Sequence, residues 1–116
     1  MTAKDKLKTL EKQIADLKEE LLAVGPMRPG SLSRQYNVCG NPKCRCKDPE
    51  NPKKHGPYYQ LSYVHRGQHT TQFVKAEQVA LVRGHIENYR KYKKLTQRWI
   101  DCALKHAKLS LLTGIH

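Results

Sequence analysis

Apolar residues recur through the first 25 positions in steps of three and four. Leu7, Leu10, Ile14, Leu17, Leu21 and Val24 form an unbroken heptad seam, the signature of a helix that pairs with another along a narrow stripe. The pattern predicts a helix from about Ala3 to Val24. Thr2 and Asp5 supply a capping-box pair at its start, and Gly25-Pro26 stop it. A lone helix of this length is marginal in water. The seam therefore needs a partner, either the chain's second long helix or its own copy in another chain. The narrowness of the stripe favours the copy, so these positions are expected to form a homodimer.

Ser31 to Val38 alternate, with Leu32, Arg34, Tyr36 and Val38 on one face, and predict a strand. Two further runs, Tyr58 to Val64 and His69 to Lys75, are rich in aromatic and β-branched residues. The segment His65-Arg66-Gly67-Gln68 separates them, which reads as a hairpin with Gly in its turn. From about Ala76 to Leu109 a helical pattern runs without proline. Val82, Ile86, Tyr89, Leu95, Trp99, Cys102, Ala103, His106 and Leu109 are expected to follow one stripe, with Gly84 as the weak point. The fold class is α+β: a coiled-coil helix (1–25), a loop and small antiparallel sheet (26–75) and a long basic helix (76–116).

Residues 39–57 change this picture, because they carry almost no aliphatic side chain and cannot make a core. They do carry Cys39, Cys44 and Cys46 within eight positions, with His55 soon after. Three thiols and an imidazole are the donors of a closed tetrahedral zinc site. Gly40 and Pro42 allow the tight turn, and Lys43, Arg45 and Lys47 favour thiolates. His55 is the best candidate for the fourth ligand, with His65, His69 and the Cys102/His106 pair as rivals. A small chain of modest apolar content, 38% here, needs such a staple.

Charge points to a partner. Residues 1–25 are neutral, with five lysines against five acids, so the whole net charge of +12 lies in residues 26–116. A basic block of this size suits nucleic acid. Arg83, Arg90, Lys94 and Arg98 recur along the second helix, Arg45 and Lys47 sit in the cysteine loop, and Arg66 is at the hairpin tip. These seven are the candidate phosphate and base contacts. No signal-peptide pattern or membrane-spanning run is visible, so the protein is expected in the cytoplasm, where thiols stay reduced. No familiar enzyme motif occurs, and carboxylates are sparse beyond residue 25. A catalytic role is therefore not expected.

Gly30-Ser31-Leu32, the Cys39-Gly40-x₃-Cys44-x-Cys46 loop, His55-Gly56-Pro57-Tyr58-Tyr59 and Glu87-Asn88-Tyr89 carry a resemblance. Between about Arg28 and Ala107 the chain resembles an uncharacterised family of short, Cys-rich bacterial and archaeal proteins, known as a domain of unknown function and often encoded beside transposases. The resemblance implies a mobile-element or defence setting and no established activity. The expectation is a zinc-containing, dimeric nucleic-acid-binding accessory protein. Its rivals are a subunit that docks on a larger nucleic-acid enzyme (a transposase, recombinase or guide-RNA nuclease) and a small metal-dependent nuclease or recombinase.

Overall fold

The computed structural model describes residues 2–114; residues 1, 115 and 116 lie outside that range. The order is α1 (Ala3–Leu22), β1 (Ser31–Asn37), a 3-10 turn (Arg45–Lys47), β2 (His55–His65), β3 (Gln68–Val74), a second 3-10 turn (Ala76–Gln78) and α2 (Val79–Thr113). This is an α+β protein. It divides into two compact units, one of residues 28–86 and one of residues 1–27 with 87–116. The first and last segments thus belong to one unit, and α2 contributes to both.

In the 28–86 unit the three strands form an antiparallel sheet in the order β1-β2-β3. Leu32 pairs with Leu61, and Tyr59 with Val74. Period-two alternation sends Tyr59, Leu61 and Tyr63 to one face. There Leu61 and Val74 bury against Val82 and Ile86 of α2, with Leu32 and Val79 at the margin. The hairpin closes through Arg66 and Gly67, both with positive φ (51° and 80°), the geometry a two-residue turn requires. β2 begins earlier than its aliphatic run suggests. The register shifts between Gln35 and Asn37, and Asn37 pairs with His55. That bulge accommodates Pro57, which lacks an N–H for a regular ladder. It also ends the alternation expected for β1, leaving Tyr36 and Val38 about half exposed.

In the other unit α1 starts on the expected capping box: the Asp5 N–H donates to Thr2 Oγ1 at 3.2 Å, and the Thr2 N–H donates to Asp5 Oδ2 at 3.3 Å. The helix lies antiparallel to the C-terminal part of α2. Contacts climb α1 as they descend α2: Glu11 with His106, Gln13 with Cys102, and Lys18 over the Trp99 ring. Leu7 and Leu95 are buried, and Leu10, Ile14, Leu17, Leu21 and Val24 half-buried. The seam expected to pair with a second copy thus faces α2 of its own chain, the alternative the heptads left open.

The single α2 stripe expected from Val82 to Leu109 is two stripes. Ile86 and Leu95 are both buried, yet nine residues are two and a half helical turns and put them on opposite sides of the helix. Val79, Val82 and Ile86 pack with the sheet, whereas Trp99, Cys102 and His106 meet α1. No described helix is long and apolar enough to cross a membrane.

Candidate metal centre

The loop between β1 and β2 is built from turns. Lys43 N–H donates to Asn41 Oδ1 at 3.0 Å, and Cys44 N–H to the Asn41 carbonyl at 3.2 Å. This Asx turn swings Cys44 back toward Cys39. The 3-10 turn that follows brings in Cys46, and Lys53 N–H returns to the Arg45 carbonyl at 2.9 Å. Asp48 Oδ1 accepts the Glu50 and Asn51 N–H groups. The pairing of Asn37 with His55 then sets the imidazole beside Cys39. Gly56 makes that approach possible. Its φ is +133°, and a Cβ there would lie 2.8 Å from the Gln35 carbonyl oxygen and 3.1 Å from Tyr36 Cδ1.

Among the described residues, Cys39, Cys44, Cys46 and His55 are the one group of Cys, His or acidic side chains placed to share a metal ion, with donor atoms all within 4.8 Å of one another. Cys39 Sγ and Cys46 Sγ are 3.5 Å apart, and Cys44 Sγ lies 3.1 Å from His55 Nε2. A tetrahedron with bonds of about 2.3 Å to sulfur and 2.0–2.1 Å to nitrogen has donor–donor edges of roughly 3.3–3.8 Å. The Cys39–Cys46 edge falls in that range and the Cys44–His55 edge just below it, and all four cysteines of the chain are free of disulfides. Cys46 is 2% exposed, and its Sγ accepts the Cys39 N–H at 3.3 Å, a second-sphere bond that orients a ligand.

The electrostatics favour a charged pair inside the group. Hydrogen bonding from the Asn41 backbone, then from His55, Cys44 and Cys46, lowers the Cys39 thiol to about 6. The hydrogen bond to Cys39, and then that to Cys44, raises His55 above its ordinary value. Burial pushes the Cys46 thiol up. A cation at the centre reverses this last effect, because it stabilises every thiolate at once.

The rival ligands lie apart from this group among the described residues. His65 and His69 flank the hairpin turn, exposed. Cys102 donates to Gln13 Oε1 at 3.8 Å, and His106 meets Glu11 at 3.1 Å.

The basic residues divide. Arg45 and Lys47 are exposed on the 3-10 turn of the loop, Arg66 is exposed at the hairpin tip, and Arg83 is exposed on α2. Arg90 and Lys94 share a groove with Glu87, Lys91 and Lys93, and Arg90 pairs with Glu87 at 2.5 Å. Arg98 lines a different groove, with Asp16, Glu20 and Asp101. The uniform basic face expected on α2 is therefore interrupted, because pairing with α1 sets acids beside Arg98. Sequence reasoning also passed over Asn88. Its Nδ2 donates to the Pro26 carbonyl at 2.8 Å and ties down the segment that follows α1. Its place in the Glu87-Asn88-Tyr89 motif was the available signal.

These features define a small α+β protein with a Cys₃His group positioned to bind a metal ion. Residues 7–84 match the family described as Domain of unknown function (DUF6788), and the chain belongs to that family. The match takes in most of α1, which lay outside the motifs of the resemblance, and ends five residues after Val79 opens α2. No curated protein and no solved structure shows a significant match to the chain.

Proposed function

We propose that the protein is a non-catalytic, zinc-containing nucleic-acid-binding accessory factor. The observation that carries this reading is the placement of charge on the metal loop. Lys43, Arg45, Lys47, Lys53 and Lys54 are all exposed there, and none forms an ion pair among the described residues. Asp48 and Glu50 are the loop's only acids, and Asp48 turns its carboxylate on backbone N–H groups. Zinc fits as the ion because three thiolates with an imidazole are its preferred closed set. The ion would order a loop that lacks an apolar core and so hold its cations in a fixed array facing phosphates. The mobile-element setting implied by the resemblance, and a cytoplasmic location, agree with such a role.

Two measurements test it. Protein purified without added metal should contain one zinc per chain. Binding of a labelled oligonucleotide should weaken on the order of a thousandfold between 50 and 200 mM salt if about six phosphates are neutralised. Substituting Arg45 and Lys47 by Glu should weaken binding and flatten the salt dependence while zinc content stays at one. Absence of binding at 50 mM salt would overturn the reading.

A second reading has its own observation. Ile100, Leu104 and Leu111 are 52%, 65% and 80% exposed and lie within about 40° of one another on α2 at 100° per residue. Such a stripe suits a protein partner, which favours docking on a larger nucleic-acid enzyme. Affinity for an assembled nucleoprotein but not for naked strands selects this reading. A homodimer would use this stripe or the half-buried seam of α1.

A further inference from the structure

The sheet has one covered face and one open face. Leu61 is 1% exposed on the covered side, whereas Phe73, the chain's only phenylalanine, is 69% exposed, with Tyr58 at 41%. Phe73 lies opposite Gln60 in the register, and Tyr58 precedes Gln60 by two residues on the same face. The two rings therefore stand diagonally across neighbouring strands, about 7–8 Å apart at their Cα atoms. Beside them runs a polar row on β1 and β2: Gln35, opposite Tyr58, donates Nε2–H to Gln60 Oε1 at 2.7 Å, and Ser33 Oγ donates to the Gln60 carbonyl at 3.4 Å. Lys54 comes just before β2 and Lys75 just after β3, both exposed, at the end of the sheet where Tyr58 stands.

We infer that this open face is a stacking platform for the bases of an unpaired nucleic-acid strand, with Phe73 and Tyr58 as the two ring contacts and the Gln35–Gln60 amides beside them. The inference rests on the nucleic-acid reading above and adds the form of the ligand. Aromatic rings on a sheet recognise base faces, which a duplex hides within its own stack and an unpaired strand presents. The charge complementarity is local, since Lys54 and Lys75 stand at the end of the sheet that carries Tyr58 and can meet the phosphates of a strand crossing it. A protein partner fits this face less well, because the residues opposite the rings in the register are glutamines, Gln60 facing Phe73 and Gln35 facing Tyr58, in place of aliphatic ones. A ring left in water gains its burial only when a base covers it.

The test uses the full-length zinc-loaded protein and a labelled twelve-nucleotide oligothymidylate, with a duplex of equal length as comparator, at 50 mM salt. The parent should bind the single strand at least tenfold more tightly than the duplex. Phe73→Leu and Tyr58→Leu should each weaken single-strand binding roughly 5- to 150-fold, the loss that removal of one stacked base contact brings. Phe73→Trp should retain it. Zinc content and melting temperature, measured for each variant, confirm that Leu leaves the fold intact at these exposed positions. If the parent binds oligonucleotides with the expected salt dependence but the Leu variants bind equally well, or the duplex binds as tightly, the platform is refuted and the nucleic-acid reading stands. If the parent binds neither strand form, both fall together.

Discussion

The two units solve the problem of a small core in different ways. The sheet unit has a closed cluster, Leu61, Val74, Val82 and Ile86, and beside it a loop that can be ordered only by its own turns and a metal. The helical unit has Leu7 and Leu95 buried and leaves Leu22, Leu111 and Leu112 88%, 80% and 76% exposed. The first carries a donor set placed to take a metal ion. The second is two helices deep and leaves its outer apolar residues exposed. Nearly equal lengths of chain therefore do different work: in one part residues are spent on positioning donors and cations, in the other on a long antiparallel pairing.

Metal removal should separate the units most sharply. An ion that binds only the folded loop contributes about 4 kcal/mol when present at a thousand times its dissociation constant. That corresponds to roughly 15–30 °C in the melting of a unit this small. Chelation or Cys46→Ser should therefore produce a large drop in the transition followed by sheet amide exchange. The helical circular-dichroism signal, dominated by α1 and α2, should persist to higher temperature. A single unchanged transition with chelator would mean that the loop does not depend on a metal.

Core truncations sharpen the same contrast. Leu61→Ala should cost about 2–5 kcal/mol, since the side chain sits inside a closed cluster that cannot collapse around the void. Leu7→Ala should fall at the lower end of that range, because its neighbours along the seam are only half-buried and can shift inward. Denaturant melts of the two variants decide the order.

Much of this was legible in the sequence. The heptads, the capping box, the hairpin and the cysteine cluster are local signals, and each lies where local spacing put it. What was not legible depended on long-range pairing. The apolar positions of α2 step by three or four from Val82 to Tyr89 and then skip six to Leu95. That skip marks the change of face, but it carries no meaning until a sheet and a second helix are known to need different sides. The start of β2 was hidden for a similar reason. Gly56-Pro57 reads as a loop, and only the bulge opposite Gln35 shows how a strand can begin there. Arg98 looked like part of a basic face until pairing with α1 set Asp16 and Glu20 beside it.

Two glycines test how far backbone freedom matters at the site. Gly56→Ala should destabilise by about 1–3 kcal/mol, because φ is +133° and the new Cβ meets a carbonyl oxygen at 2.8 Å. Metal affinity should fall with it, since His55 is the preceding residue. Gly84→Ala meets nothing within 4 Å on a helical backbone and should stabilise by about 0.5–1 kcal/mol. Opposite signs in paired melting experiments support the geometry given for His55. A harmless Gly56→Ala removes it.

In the metal-free protein the cysteines should differ in reactivity. Cys39, lowered to about 6, is mostly thiolate at pH 7, whereas Cys46 is buried and raised. Brief iodoacetamide treatment followed by peptide mass spectrometry should find Cys39 labelled first. Bound metal should protect both.

The smallest effect expected lies in the helical unit and links its charge to the sheet unit's proposed ligand. Arg90 and Glu87 form an exposed pair, with side chains 63% and 67% accessible, and such pairs contribute about 0–1 kcal/mol to stability. Glu87→Gln should therefore leave the melting temperature within about 2 °C of the parent. It removes one negative charge from a groove that also holds Lys91, Lys93 and Lys94, and it releases the Arg90 guanidinium. If nucleic acid runs along this groove, affinity should rise severalfold and the salt slope should steepen by about one unit, the mark of one added phosphate contact. If binding is confined to the sheet and its loop, Glu87→Gln should change affinity only slightly and leave the slope as it was. The slope is the deciding quantity, because general attraction alters affinity without adding a contact.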